Sequence, residues 1–452
     1  MMINSLQFKM KLLLAAAVVI VTLEGGVPVS GVSAEKAVLS KGGSDYNKVE
    51  APLLKPIWST SVAILDKGSE DLAVTAIAEN GKVFALQPSH KIVALNASTG
   101  TKLWEFGSEL APLFTYNNGM IYGMTKTGAL YAITEAGKKS WTTPISFSSA
   151  DSVQKIGTTL YVTQSEQLAA VDAATGKLKW KIAEDKNNTI GSTHIMETDD
   201  VLIRQYIQQG AITVGLMVAY DARTGKKLWA YSRQNSPLAI KEGLLYSITS
   251  LEMLDDDPIN RKIKVSVFNL KSGEIKGERL YRWTDSENTD GVFRSGGAYG
   301  SAFLDGDDLY VFQGSKLAKY DFWNYKVDAK PIQQWNQGLY DGIYPLNQVY
   351  QQRMFYTENR TGTLSALKLM NGQILHFNQG ENPVVRTDIY GNTVYTGQSD
   401  GLFHAYDLMT MKPIFTVNTG SRDFAPTLKT GGTLVIQTGG KLLAIKLPSY
   451  LK

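Results

Sequence analysis

No cysteine occurs among the 452 residues. That absence excludes disulfides, thiol catalysis, cysteine metal sites and a lipid-modified N-terminal cysteine. The chain must therefore hold together by apolar burial and sheet hydrogen bonds. Histidine is nearly as scarce. Its four copies, His90, His194, His376 and His404, offer no pair at metal-ligand spacing. Without a histidine partner the many Ser and Asp residues make no nucleophilic triad, and neither a G-x-S-x-G elbow nor a phosphate loop is present. Charge is modest too: 46 Lys and Arg face 42 Asp and Glu, for a net +4. The basic residues are spread along the chain, so nucleic acid is not an expected partner. Helical periodicity is almost missing, and no long apolar run follows residue 34.

The first 34 residues stand apart. Lys9 and Lys11 precede an apolar stretch, Leu12 to Leu23, that is too short to span a bilayer comfortably. Small and polar residues follow and end in Val32-Ser33-Ala34, an A-x-A-like cleavage site. Residues 1–34 thus read as a secretory signal peptide, with a retained N-terminal anchor as the alternative. Residues 35–55, with Lys-Gly-Gly-Ser and a Pro, read as a flexible lead-in. The expected product is a monomer, secreted or at the cell surface, with no integral membrane segment after cleavage.

What the sequence does contain is a repeat. "ALNASTGTKLW" (Ala94–Trp104) returns as "AVDAATGKLKW" (Ala170–Trp180) and "AYDARTGKKLW" (Ala219–Trp229). Further copies are "LYAITEAGKKSW", "VSVFNLKSGEI" and "LSALKLMNGQIL", while "LAKYDFWNYKV" and "FHAYDLMTMKPIF" are degenerate and "LLAIKL" is truncated. The turn glycines are Gly100, Gly137, Gly176, Gly225, Gly273 and Gly372, and the first five are 37, 39, 49 and 48 residues apart. Periods of this size mark solenoids or propellers. Each copy has a short run that is apolar on both faces, an Asn or Asp, and a Thr/Ser-Gly turn. A second turn and strand pair lies upstream, as in "AIAENGKVFAL" and "TYNNGMIYGM". Four short strands per unit, repeated radially, make a β-propeller. The last copy lacks its Trp-bearing strand, and "PIWSTSV" (Pro56–Val62) supplies one. The expectation is an all-β ring over residues 56–452, closed by strand exchange between the ends, with nine repeats.

These features resemble the pyrroloquinoline-quinone-like (PQQ-like) β-propeller repeat family, whose signature is A-x-D/N, x-x-T/S-G, then a strand carrying Trp. The resemblance covers nearly all of residues 56–452 and fades from Lys319 to Phe415. It implies eight blades, one fewer than the count of repeats, and tryptophans packed flat between blades: Trp58, Trp104, Trp141, Trp180 and Trp229. The family divides into quinone-dependent dehydrogenases and non-catalytic scaffolds. The dehydrogenases typically carry a vicinal cysteine pair beside the quinone and a Ca²⁺ site of Glu, Asn and Asp. This chain has no cysteine, and "DDDPIN" (Asp255–Asn260) and "DSENTDG" (Asp285–Gly291) read as solvated acidic turns. No catalytic residue, metal or cofactor is therefore expected, and a quinone-dependent oxidoreductase is the alternative function. The leading one is an exported non-catalytic scaffold for protein or polysaccharide, although the lipoprotein cysteine of the outer-membrane assembly member is missing.

The uneven part of the repeat indicates where a ligand surface would lie. Residues 322–350 mix aromatics with amides, and Trp323, Tyr325, Gln334, Trp335, Tyr340 and Tyr344 form the candidate partner surface. The alternative is inter-blade packing, with Trp335 standing in for a missing docking tryptophan.

Overall fold

The computed structural model describes residues 51–64, 76–147, 149–184, 189–210, 213–250, 257–285, 298, 300–336, 342–358, 361–377 and 382–451. Within them, thirty-six strands form nine four-stranded antiparallel sheets, the blades of a propeller ring. Blades 1 to 8 are contiguous in sequence: residues 76–106, 110–144, 152–183, 189–232, 234–284, 302–336, 343–376 and 384–418. Blade 9 combines residues 428–446 with Trp58–Ser61, its outermost strand. The register there pairs Trp58 with Ala444 and Ser61 with Lys441. The repeat count of nine holds, and the eight blades implied by the family resemblance do not.

Burial explains why these segments are strands. In each blade the second and third strands are covered on both faces, so Lys82–Leu86 and Ile92–Asn96 bury nearly every residue. The outermost strands alternate instead. In Leu178–Ala183 the lysines are exposed and Trp180 is buried, the period-two pattern of a half-covered strand. Nine apolar clusters fill the nine seams between neighbouring blades. One of them joins Val83 and Leu95 of blade 1 to Val435 and Ala444 of blade 9, which makes the ring continuous. First strands meet on the inside between blades 2 and 3, 5 and 6, 6 and 7, and 9 and 1.

The N-terminal approach adds a clasp. Leu53 forms a parallel bridge with Thr416 of blade 8; Leu54 N–H donates to Thr416 O at 2.8 Å and Thr416 N–H to Pro52 O at 3.0 Å. Leu54 also packs on the cluster between blades 8 and 9. Residues 52–54 therefore cross onto blade 8 before the chain completes blade 9.

Candidate binding surface

The recurring phrase builds an interlock. In blade 4, Asp221 Oδ1 accepts from the N–H groups of Arg223 (3.1 Å) and Thr224 (2.9 Å) and from the Thr224 hydroxyl (2.9 Å). That Asx turn aims the carbonyl of Ala222 at the preceding blade, where Trp180 Nε1–H meets it at 2.9 Å. The same bond joins Trp58 to Ala97 O (2.8 Å), Trp104 to Glu135 O (3.0 Å), Trp141 to Ala173 O (3.1 Å) and Trp229 to Leu270 O (2.9 Å). Each indole lies on the turn glycine of the next blade. A Cβ on Gly137 would stand 2.6 Å from the Trp104 ring, and one on Gly225 would stand 2.8 Å from Trp180. Those glycines thus serve two needs, a left-handed turn and a flat seat for the indole. Trp58 extends the series across the closing seam, onto Gly100.

Between blades 5 and 6 the interlock is reversed. Gly277 pairs with Val267 at the register position that Trp229 holds opposite Ala219 in blade 4. Across the seam, Phe322, Trp323 and Tyr325 fall where the turn of blade 4 has Ala222, Arg223 and Gly225. The large groups have changed sides. Arg279 takes over the donor role, its Nη1 bonding to Phe322 O, the carbonyl equivalent to Ala222 O. The guanidinium also sits 4.6 Å from the Tyr246 ring centre, 4.7 Å from Phe322 and 5.6 Å from Tyr325. Tyr325 accepts the N–H of Leu280 at 2.9 Å, and Lys241 lies 4.3 Å from the Trp323 ring centre. Trp323 and Tyr325 are thus half-buried and engaged with cations of their own chain.

The remaining candidates separate. Trp335 is 4% exposed and donates to Leu369 O of blade 7 at 3.1 Å, a bond that Gln333 duplicates at 3.0 Å. It stands two residues beyond the usual tryptophan position yet reaches the equivalent carbonyl. Gln334 is exposed and donates to Gln313 at 3.1 Å. Tyr340 lies outside the described residues. Tyr344 is different: it is 54% exposed near the start of the innermost strand of blade 7, Ile343–Tyr350. The register of that strand breaks between Pro345 and Val349, and Leu346, inside the break, is 44% exposed. The corresponding strands of blades 4 and 8 also break register near their entering ends, beside the exposed Ile190 and Val385. All of these strands enter from the same face of the ring. Sequence reasoning missed Ile190, Leu346 and Val385 because an isolated apolar residue in a strand reads as core; the only cue was the irregular length of those units.

Reactive chemistry is sparse. Ser365, His376 and Glu358 of blade 7 do converge: Ser365 Oγ lies 2.8 Å from His376 Nδ1 and 3.0 Å from Glu358 Oε1. Ser365 is fully buried, however, and it faces Nδ1 together with the carboxylate. The arrangement fixes the imidazole orientation and offers no hydroxyl to a substrate. Beside it a cleft of about 470 Å³ runs along the outer edge of blade 7 to Met411. A second, polar cleft of about 500 Å³ lies at the turns of blades 1 and 2. There Glu135 accepts from Lys82, from Tyr116 (2.6 Å) and from Asn80 (3.2 Å). The ion pair with Lys82 and the bond from Tyr116 hold its carboxyl below the usual range. Among the described residues no group of three or more His, Asp or Glu could hold a metal ion.

A nine-bladed ring of four-stranded sheets, locked by indoles on turn glycines and closed by its first strand, is a PQQ-like β-propeller. Residues 55–214 and 157–378 match the family described as outer membrane protein assembly factor BamB, and the chain belongs to that family. One relative, the outer membrane protein assembly factor BamB of Taylorella asinigenitalis, is 35% identical over 106 residues. The matched stretch spans 22% of this chain and 27% of that protein. Among solved structures, BamB from Moraxella catarrhalis aligns with a TM-score of 0.47 at 12% identity, over 87% of this chain and 98% of that one. The computationally designed protein Ika8 aligns with a TM-score of 0.46 at 11% identity, over 86% and 99%.

Proposed function

We propose that the ring is an exported, non-catalytic platform that binds a protein partner at the cell surface or in the medium. One observation carries this reading. The tryptophans of the repeat are spent on inter-blade docking, whereas the entering ends of the innermost strands leave Ile190, Tyr344, Leu346 and Val385 exposed around the mouth of the ring. Apolar and aromatic groups on rigid strands, aimed outward by breaks in register, are suited to protein contact. The family description, an assembly factor for other proteins, supports the same role. Protein is the partner favoured at this face; glycan binding fits another surface of the ring.

A photo-crosslinking residue at position 344, displayed on the producing cells and in their medium, tests the proposal. A discrete adduct is expected that Leu346→Asp abolishes without changing the melting temperature. The same crosslinker at Thr158, exposed at a turn on the opposite face, serves as control. Identical adduct patterns from the two positions would overturn the reading. No dye-linked oxidation is expected on adding pyrroloquinoline quinone with Ca²⁺.

A further inference from the structure

Exposed lysine is concentrated on the outer wall of blades 2, 3 and 4. In blades 2, 3 and 4 the turn glycine is followed by exposed lysines: Lys138 and Lys139, then Lys177, Lys179 and Lys181, then Lys226 and Lys227. The outermost strands of blades 6, 7 and 8, Gln333–Asn336, Ile374–His376 and Pro413–Asn418, carry no Lys or Arg, although the turns of blades 6 and 8 set a lysine, Lys326 and Lys412, at the position of Lys226. Seven exposed lysines therefore lie on three successive blades. Lys227 pairs with Glu184, Lys179 bonds to Thr159, and Lys181 covers the Phe147 ring. Lys138, Lys177 and Lys226 form no ion pair among the described residues. Apolar side chains accompany the charges, since Leu178 is 41% exposed and Leu228 is 39% exposed.

We infer that this basic rim binds a linear acidic polysaccharide. The charges recur over three successive blades, because the turn phrases of blades 2, 3 and 4 set lysine just after the glycine, whereas Gly100, Gly273 and Gly372 are followed by Thr101, Glu274 and Gln373. A polymer with regularly spaced carboxylates matches that recurrence. The rim is convex. A flat bilayer would meet about one blade of it, whereas a flexible chain can follow the wall across three. Single-stranded nucleic acid binds through aromatic platforms, and the aromatics beside these lysines are withdrawn: Trp141, Trp180 and Trp229 are each 8–9% exposed, held in their docks. Leucine beside lysine instead meets the alternating C–H faces and acidic groups of a uronic acid chain. This surface lies on the outer wall, away from the mouth proposed to receive protein, and the inference stands independently of that reading.

The test is titration of the full chain with polygalacturonate at low and high salt. Saturable binding is expected, weakened by added salt because exposed charges carry it. The triple variant Lys138→Glu, Lys177→Glu and Lys226→Glu should weaken it by about tenfold or more, and Lys330→Glu, exposed on blade 6, by less than about twofold. The neutral triple variant with Gln at the same positions should fall between, and it keeps the test open should charge reversal disturb folding. Absence of binding, or equal affinity in the triple variant, would overturn the inference. So would tighter binding to phosphatidylglycerol vesicles or to single-stranded DNA that the same substitutions abolish.

Discussion

Two glycines of blade 2 separate the dock from the turn. Gly119 and Gly137 share a φ of 79°, so replacing either with Ala imposes the same left-handed backbone on an L residue. That cost is about 1–2 kcal/mol. Their surroundings differ completely. A Cβ on Gly119 meets nothing within 4 Å, while one on Gly137 would lie 2.6 Å from the Trp104 ring. The indole would have to lift from its seat, stretching the 3.0 Å bond to Glu135 O. Overpacking of a tight contact adds about 1–3 kcal/mol. Gly119→Ala should therefore cost about 1–2 kcal/mol and Gly137→Ala roughly 2–5 kcal/mol. Urea unfolding followed by tryptophan fluorescence and by far-UV circular dichroism would measure both. In a Trp104→Leu background the gap should shrink, because the group that Gly137 accommodates is gone. If Gly137→Ala proves no more costly than Gly119→Ala, the seat is not what selects glycine there, and the interlock described above is wrong.

The reversed seam predicts an arginine that is structural. Arg279→Ala removes a charged donor from the Phe322 carbonyl and a cation from among the surrounding rings, and should cost about 2–4 kcal/mol by chemical denaturation. Arg282→Ala, three residues on and 3.7 Å from exposed Asp328, should change stability by less than about 0.5 kcal/mol. Glu135 gives a pH signature. Its carboxyl is held below the usual range first by the Lys82 bond and then by the Tyr116 hydroxyl. Its stabilising contribution is therefore complete above the unfolded-state value of about 4.3 and is lost as pH falls through the lower folded value. Glu135→Gln should flatten the acid limb of a melting-temperature profile, and an unchanged limb would count against the pairing.

Legibility followed the size of the groups involved. The docks at Trp104, Trp141, Trp180 and Trp229 could be read because tryptophan stands four residues past the turn glycine in each copy, with an Asx residue four before that glycine in all but the blade 2 copy. The composite ninth blade was readable as well, from a missing outer strand at one end and a spare Trp strand at the other. Blades 5 and 6 were not. Gly277 and Phe322 compensate each other across a seam, and neither side of that exchange is unusual when read along its own strand. Trp335 shows a related difficulty, since two residues of displacement hide it from the spacing while its indole still finds Leu369 O. The candidate surface was the least legible part. Trp323 and Tyr325 looked available because exposure depends on a neighbouring blade, and Arg279, which engages them, lies outside the segment that drew notice. Tyr344 could be named from composition, but Ile190, Leu346 and Val385 became visible only with the register breaks.

Closure through residue 58 also imposes an order of assembly. The strand that completes blade 9 is made before the other described strands of the ring, and the strands it joins are made after those of blades 1 to 8. During synthesis each internal blade can form once its own four strands exist, since every pairing within it is local. Trp58–Ser61 has no sheet to join until residues 428–446 are present. Until then the ring is an open arc with a free seam at each end, and its longest-range contact forms last, when the entropic cost of bringing the ends together has already been met by eight stacked blades. The closing strand acts as a completeness check, because a chain stopped short of residue 441 has nothing for it to close upon.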